Sequence, residues 1–385
     1  MRARRLWGVE CYNRRSTLAR MRILIIKLSS IGDVVHTLPA AAAMRRALPD
    51  ARIDWVVERQ TGAILRESPA IDTLIEIESR AWRKRALSPA TWRDIRGCLS
   101  GIRRGRLMTA AKQPSVDVAI DFQGLIKSGF VARAAGAPRR IGFDSNELRE
   151  RPSRVFLNEQ VDTARYRHVI NKNLALAKAV CREIDASPAT FEFPIHVAPE
   201  DEAYVGAAIE SIATGFAIIN PGGGWPTKRW PVERFGQVAD WLWTQRGLPT
   251  LVTHGPGEEE MAHAVCSAAR SGAARPFAST LKQFVALARR AELFIGSDTG
   301  PLHLAAACGT PIVGLYGPTA PERNGPFDPR DVTLARDLWC REDCHRRSCW
   351  HWECMDIPVS AVTKAIEVRL NSGESRPSHK QYRVV

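Results

Sequence analysis

Short runs of apolar, β-branched residues alternate with longer amphipathic segments through most of the chain. The first run, residues 23–28, precedes a small polar turn and then an Ala-rich segment whose apolar residues recur at helical spacing. Runs of the same kind follow at 53–58, 73–77 and 116–121. Because strands that alternate with helices pair in parallel through right-handed crossovers, the pattern predicts a doubly wound α/β domain.

The alternation restarts after a stretch that is interrupted by proline. Residues 187–194 contain two prolines, follow a predicted helix over 169–184 and have the composition of an interdomain linker. Further strands are predicted at 216–220, 249–254, 293–297 and 311–316. We therefore expect two Rossmann-like domains, residues 21–190 and 191–357, facing one cleft, and then a C-terminal helix over 358–370.

Length and composition agree with this two-domain prediction. The chain has 385 residues, whereas a single hydrophobic core stops growing at about 250–300 residues. A hydrophobic content of 45% and a charged content of 25% are typical of a globular protein. No apolar run approaches the roughly 20 residues that a membrane-spanning helix needs, so none is predicted.

The formal net charge of +14 favours an anionic partner. Part of this charge belongs to residues 1–20, which contain six arginines and one acid. This leader has no apolar core, so it is not a secretory signal, and Met21 directly precedes the first predicted strand. We expect that translation starts at Met21 or that the leader is a disordered arm; residues 371–385 are predicted to form a disordered tail.

A carboxylate lies in the turn after the first predicted strand. Asp33 would sit beyond the carboxyl end of a parallel strand, where open α/β sheets bind their ligands. Asp33 is therefore the first candidate for chemistry. The alternative is that it only caps the following helix.

Small residues open the helix that follows the predicted strand 293–297. Backbone N–H groups at Thr299 and Gly300 would form an anion site suited to a diphosphate. The alternative is an ordinary helix start, with Asp298 or Thr299 as cap and Pro301 in the first turn.

Two further turns of the second half have features of a nucleotide site. The first contains Gly223 and Gly224, and Lys228 just beyond them is placed to bind a phosphate, although a solvated lysine is the alternative. The second, residues 255–260, places acids at a helix start, where one of them is suited to bind a ribose diol. Neither a P-loop nor a GxGxxG motif is present.

Basic residues of the first half fall after strand ends or in loops. Around Asp33 they would bind a polyanionic acceptor, and a solvated basic face is the alternative for each. These residues are Arg80, Arg83, Lys84, Lys127 and Arg149.

Four cysteines cluster near the end of the chain. They are Cys340, Cys344, Cys349 and Cys354, with His345 and His351 between them. Four such ligands can close tetrahedrally on a structural zinc ion, and would leave no open position for catalysis. The spacings are not those of paired CxxC motifs, so two disulfides or four free thiols are the alternatives.

Six ordered motifs resemble the bacterial ADP-heptose:lipopolysaccharide heptosyltransferases, which form glycosyltransferase family nine. They are residues 27–39, 54–58, 122–128, 227–231, 297–303 and 316–319, and the resemblance runs from about residue 21 to residue 327. Residues 54–58, 82–84 and 149–152 are most similar to heptosyltransferase I, which adds the first heptose to the Kdo of the inner core. Residues 222–224 depart from that subtype.

The resemblance implies a GT-B fold and an inverting transfer of L-glycero-D-manno-heptose from ADP-heptose without a metal or other catalytic cofactor. Asp33 would be the general base, residues 21–190 would bind the acceptor, and residues 191–357 would bind the nucleotide sugar. The implied donor-binding residues are Gly223, Gly224, Lys228, Glu259, Asp298, Thr299, Gly300 and His303, with the ribose ligand open among residues 258–260. The implied acceptor-binding residues are Ser30, Gly32, Arg80, Arg83, Lys84, Gln123 and Arg149.

The implied partners are ADP-heptose, Kdo-lipid A and the inner membrane surface, so we expect a cytoplasmic protein bound peripherally to the inner face of that membrane. A heptosyltransferase II-like enzyme, or another nucleotide-sugar transferase of the family, is one alternative. A non-catalytic anion-binding protein is another. Nucleic acid is not expected, because no motif interleaves basic and aromatic residues as RNA-binding motifs do.

Overall fold

The computed structural model describes residues 21–85, 88–104, 115–212, 215–338, 340, 344 and 347–372. The predicted leader, almost all of the predicted tail and His345 lie outside the described residues. The described chain forms two six-stranded sheets, each with helices on both faces.

The first sheet has the strand order β3-β2-β1-β4-β5-β6, and every strand pair in it is parallel. Its strands are β1 (Arg22–Ile26), β2 (Arg52–Glu58), β3 (Thr73–Ile77), β4 (Val118–Asp121), β5 (Arg139–Phe143) and β6 (Glu159–Val161). The helices of this half are α1 (Ile31–Val35), α2 (Leu38–Ala47), α3 (Arg59–Gly62), α4 (Ser79–Lys84), α5 (Pro89–Arg104), α6 (Ile126–Ala134) and α7 (Val169–Val180), with 3-10 helices at Ala63–Leu65 and Arg151–Phe156.

The second sheet has the order β12-β11-β10-β7-β8-β9 and is also parallel throughout. Its strands are β7 (Ala217–Asn220), β8 (Thr250–His254), β9 (Ala274–Ala278), β10 (Leu293–Ser297), β11 (Ile312–Tyr316) and β12 (Val332–Ala335). The helices are α8 (Pro199–Ile209), α9 (Val232–Arg246), α10 (Glu259–Ala268), α11 (Leu281–Ala288), α12 (Gly300–Ala307), α13 (Pro321–Asn324) and α14 (Val359–Asn371), with 3-10 helices at Pro226–Lys228 and Glu353–Met355.

Both sheets have the strand order of the Rossmann fold, which confirms the predicted fold class. The central strand β1 is fully buried, as expected for a parallel strand covered by helices on both faces. This burial explains why its sequence is a continuous apolar run rather than an alternating one. In each half the strand order reverses between two strands, β1 and β4 or β7 and β10, and this reversal opens a crevice at their carboxyl ends.

No helix in the described ranges is both long enough and apolar enough to cross a bilayer.

The two halves touch where α1 meets α12. A Cβ on Gly32 would lie 2.3 Å from Cδ2 of His303, and a Cβ on Gly300 would lie 2.8 Å from Cγ2 of Ile31. Since such distances are too short for non-bonded atoms, glycine at both positions is what allows the helices to approach.

Three histidines are buried beside this contact: His36 after α1, His168 before α7, and His303 in α12. The ring of His36 lies 4.5 Å from that of His303 and 5.7 Å from that of His168, measured between centroids. Burial lowers the pKa of His36 well below its ordinary value and lowers the pKa of His168 to about 4. The fold therefore holds these two rings in their neutral form.

Acid is expected to destabilise the protein through His168. The unfolded chain takes up a proton near pH 6.5, but the folded one only near pH 4, so stability falls as pH drops through this window. Between pH 7 and pH 5 this proton uptake lowers the free energy of unfolding by about 2 kcal/mol. We expect urea denaturation at both pH values to show a smaller loss of stability for His168→Asn than for the wild-type protein. Asparagine keeps an acceptor for the Ile170 N–H at the start of α7. Equal losses of stability in the wild-type protein and the variant would contradict the assignment of the acid effect to His168.

Candidate active site

Asp33 lies in α1, just beyond the carboxyl end of β1. One carboxylate oxygen accepts a hydrogen bond from the Ser30 N–H at 3.0 Å. The other accepts one from the Arg149 guanidinium at 2.9 Å and lies 3.6 Å from the Lys27 ammonium. The Asp33 side chain is 16% exposed, so it both caps the helix and remains accessible from the cleft.

The two cations control the charge of Asp33. Burial acts to raise the pKa of Asp33, but Lys27 and Arg149 outweigh it and hold this pKa well below its usual range. Burial lowers the pKa of Lys27 to about 8, although Asp33 opposes that shift. Asp33 is therefore ionised at neutral pH and able to accept a proton, with a basicity that its cationic neighbours suppress.

Gln123 is buried beneath the same turn. Its side-chain oxygen accepts hydrogen bonds from the Leu28 N–H at 3.0 Å and the Ser29 N–H at 3.2 Å. The Gln123 amide thus supports the backbone that carries Asp33, whereas the sequence predicted that Gln123 binds the acceptor. Gly32, also predicted on the acceptor side, is buried against His303.

The basic segment of the first half begins beside the same sheet edge. Glu58, at the end of β2, accepts hydrogen bonds from the backbone and hydroxyl of Ser79, and Lys127 lies 3.4 Å from the same carboxylate. This pairing starts α4 at the carboxyl edge of the sheet. The helix α4 carries Arg80, Arg83 and Lys84, whose side chains lie outside the described part of the structure.

Asp298 is the centre of a buried polar network in the second half and is 3% exposed. Its carboxylate accepts hydrogen bonds from Lys228 (2.6 Å), Thr319 (2.6 Å), Asn324 (2.8 Å) and His303 (3.0 Å). Burial acts to raise the pKa of Asp298, but His303 and Lys228 lower it far below its usual range. Asp298 thus fixes the direction of the Lys228 side chain, which also donates to the Asp298 carbonyl at 2.9 Å.

A glycine-rich turn (residues 221–228) follows β7 and faces the start of α12. The Thr299 methyl group lies 3.5 Å from the position of a Cβ on Gly223, and the Arg229 guanidinium donates to the Gly223 carbonyl at 3.0 Å. Backbone N–H groups at a helix start and nearby cations together attract anions. This part of the cleft therefore has groups that could bind a phosphate, and the predicted phosphate site stays a prediction.

The acid that reaches the glycine-rich turn is Glu258. Its carboxylate accepts hydrogen bonds from the N–H groups of Gly223 and Gly255, both at 3.1 Å. Glu259, which the sequence analysis favoured, is exposed in the first turn of α10, as is Glu260. The acid that contacts the glycine-rich turn is therefore one residue before the predicted Glu259.

Four cysteines surround one small cavity that Thr227 and Pro318 also line. Cys340, Cys344, Cys349 and Cys354 are all free thiols. Within the described ranges, no three His, Cys, Asp or Glu side chains are arranged to hold a metal ion. The predicted structural zinc site thus gains no support from this geometry, and metal analysis of the purified protein would test it.

Sequence reasoning missed the partners that lie far away along the chain. Thr319 and Asn324 complete the Asp298 network, and His36 and His168 join His303 at the contact between the halves. Thr319 lay inside a quoted motif, which was a signal for its inclusion. His36 also lay inside a motif, residues 27–39, whereas His168 lay outside all six motifs and had no such signal.

Two facing Rossmann-like domains form the architecture of the GT-B fold. The family model of glycosyltransferase family 9 (heptosyltransferase) matches residues 104–351. The chain therefore belongs to glycosyltransferase family 9, which confirms the family and the enzyme class expected from its motifs.

Similar proteins cover most of the chain. Lipopolysaccharide heptosyltransferase 1 of Pseudomonas aeruginosa is 30% identical over 86% of this chain and 87% of its own length. The protein of the same name from Escherichia coli K12 is 28% identical over 78% of this chain and 89% of its own length. The structure of E. coli heptosyltransferase WaaC with ADP-2-deoxy-2-fluoro heptose has a TM-score of 0.70 at 24% identity, and the match covers 90% of this chain and 99% of that chain.

Proposed function

We propose that the protein transfers L-glycero-D-manno-heptose from ADP-heptose to the Kdo of the lipid A inner core in lipopolysaccharide biosynthesis. The observation that carries the proposal is the position of Asp33. This ionised, accessible carboxylate lies in the helix that touches α12, whose start faces the glycine-rich turn. The names of the similar proteins support heptose transfer in lipopolysaccharide, and the heptose nucleotide in the E. coli structure supports the proposed donor.

In the proposed reaction Asp33 takes the proton of the acceptor hydroxyl as that oxygen attacks the anomeric carbon of the donor. The bond from that carbon to the diphosphate breaks, its electron pair leaves with ADP, and the anomeric configuration inverts. Lys228 and the N–H groups at the start of α12 stabilise the charge on the departing diphosphate.

Acceptor binding would also raise the basicity of Asp33. Arg149 holds the pKa of Asp33 low in the free protein and is 42% exposed on its side chain. An acceptor carboxylate or phosphate that pairs with Arg149 would weaken its hold on Asp33. The basic residues of α4, Arg80, Arg83 and Lys84, belong to the same proposed acceptor side.

Side chains of this protein supply the positive charge that other transferases take from a metal ion. Lys228 and Arg229 both lie at the end of the glycine-rich turn. We therefore propose that transfer needs no divalent cation, and that EDTA leaves its rate unchanged.

Product analysis tests the proposed function directly. Incubation with ADP-heptose and Kdo-lipid A should release ADP and increase the acceptor mass by one heptose. Lipid A without Kdo and UDP-glucose serve as controls for acceptor and donor. Transfer only to an acceptor that already carries heptose would favour the heptosyltransferase II-like alternative, and absence of any transfer would contradict the proposal.

We also propose peripheral binding to the cytoplasmic face of the inner membrane, because the acceptor is a lipid. Helix α5 presents Arg93 and Arg96 at the surface, and a basic residue near an anionic leaflet contributes about 1 kcal/mol. Reversing both charges to glutamate should release the protein from anionic vesicles. Arg182→Glu, an exposed position after α7, is the matched control, and equal release by both variants would count against α5.

Glu258 is proposed to bind the donor ribose in place of Glu259. Glu258→Gln should weaken ADP binding about tenfold, because it removes a charged acceptor that two backbone N–H groups already orient. Glu259→Gln changes the next residue, which is exposed, and should leave affinity within about twofold. Calorimetric titration measures the ADP affinity of both variants. A larger loss for Glu259→Gln than for Glu258→Gln would favour Glu259 as the ribose ligand.

A further inference from the structure

The Cys-rich loop, of which the structure describes residues 340, 344 and 347–354, reaches the glycine-rich turn through an arginine. The Arg347 guanidinium carbon lies 5.4 Å from the centre of the Trp225 ring. The Lys228 ammonium lies 4.9 Å from the centre of the same ring. Two cations from distant parts of the chain thus share one indole beside the phosphate-type site.

The loop is attached to this turn at several points. The Trp352 indole N–H donates to the Arg229 carbonyl at 3.3 Å. Thr227 and Pro318 line the same cavity as the four cysteines. A Cβ on Gly317 would lie 2.6 Å from the Met355 sulfur, which shows how closely the chain after the loop packs on the second sheet. Arg347 therefore extends from a support that rests on the turn itself.

The two cations differ in how their charge is balanced. Lys228 pairs with Asp298 at 2.6 Å. The Arg347 side chain is instead exposed to solvent and contacts the Trp225 ring. It therefore adds positive charge at the edge of the site, and a guanidinium can bind a phosphate through two parallel hydrogen bonds.

We propose that Arg347 is a further donor-binding residue, which contacts the diphosphate of the nucleotide sugar beside Lys228. The Trp225 ring orients the guanidinium by a cation–π contact. On this basis the Cys-rich loop acts as the support of a substrate-binding side chain. The inference rests on the proposed function, since it needs a nucleoside diphosphate donor.

Titration with ADP and with AMP tests the role of Arg347. Arg347→Gln should weaken ADP binding about tenfold and AMP binding less than about twofold, because a contact to the second phosphate is lost. Arg347→Lys keeps a cation and should recover part of the ADP affinity. The control is Arg246→Gln, which removes another arginine stacked on a tryptophan of the same half, 6.0 Å from the Trp241 ring, and should leave both affinities unchanged.

The measurements distinguish failure of this inference from failure of the proposed function. If Arg347→Gln leaves ADP affinity unchanged while the wild-type protein binds ADP, the inference fails and the proposed function stands. Equal losses for ADP and AMP would also overturn it, because they would place the effect at the nucleoside or in the fold. Failure of the wild-type protein to bind ADP would overturn the proposed function and this inference with it.

Discussion

Asp33→Asn is expected to lower the rate of heptose transfer by about a thousandfold while ADP binding stays within about twofold. General base catalysis contributes about 10²–10⁴-fold, and an amide cannot take the acceptor proton. The side-chain amide of this variant would keep an oxygen for the Ser30 N–H, so the start of α1 should remain intact. Release of ADP under saturating donor and acceptor measures the turnover.

The matched control is Ser30→Ala, and because Ser30 is itself a predicted acceptor-binding residue, turnover is compared at saturating acceptor. It removes the 3.3 Å contact between the Ser30 hydroxyl and the Asp33 carboxylate but leaves the backbone hydrogen bond and the carboxylate in place. Turnover should fall less than about fivefold. If Asp33→Asn kept more than a tenth of the wild-type rate, Asp33 would not be the general base.

A change in stability must be separated from the catalytic effect. Burial lowers the pKa of Lys27 and Asp33 opposes that shift, while the Lys27 ammonium also donates to the Phe122 carbonyl at 2.8 Å. Asp33→Asn therefore leaves a buried cation with less compensation, and its folded fraction should be checked by thermal melting. A stable variant without turnover, which still binds ADP, would place the defect in the chemical step.

The sequence was sufficient to place Asp33 beyond the end of a buried parallel strand because the signals for that position are local. A buried parallel strand has an apolar run, the turn after it is polar, and the helix after that has its own period. The same local signals placed Thr299, Gly300 and Lys228 beyond strands of the second half, and the roles of all four residues stay predictions. Each of these residues follows closely on a strand end, where the fold places ligands whatever the rest of the chain does.

The parts that sequence could not predict depend on side-chain direction and long-range contact. Glu258 and Glu259 differ by one position at a helix start, and only the orientation of that start decides which one faces Gly223. Gln123 points inward because the backbone at Leu28 and Ser29 needs an acceptor. Both outcomes depend on how two separate segments meet, which no local pattern records.

Asp298 shows the same limit most clearly. The sequence predicted that Asp298 binds the donor, which stays a prediction, whereas the structure shows four hydrogen-bond partners around its carboxylate and only 3% of its surface exposed. It acts on Lys228 rather than on solvent. The partners Thr319 and Asn324 lie more than twenty residues further along the chain, so the network exists only after β10 and β11 pair.

Asp298→Asn is expected to cost about 3–5 kcal/mol of stability, because it leaves the Lys228 ammonium, 15% exposed, without its charged partner. The new amide group would also direct a donor at groups that are donors themselves. Urea denaturation measures the loss. Thr319→Val is the control, since it removes one donor to the same carboxylate and should cost about 1 kcal/mol.

The double variant Lys228→Met with Asp298→Asn determines whether the two residues act as a unit. If Asp298 serves chiefly to hold Lys228, the two single losses should not add. We expect the loss of stability in the double variant to be about 2 kcal/mol smaller than the sum of the single losses. ADP affinity should fall in both single variants and hardly further in the double one, because either change removes the oriented ammonium. Fully additive losses in stability and affinity would mean that Asp298 acts through Thr319, Asn324 and His303, and that the direction of Lys228 is set elsewhere.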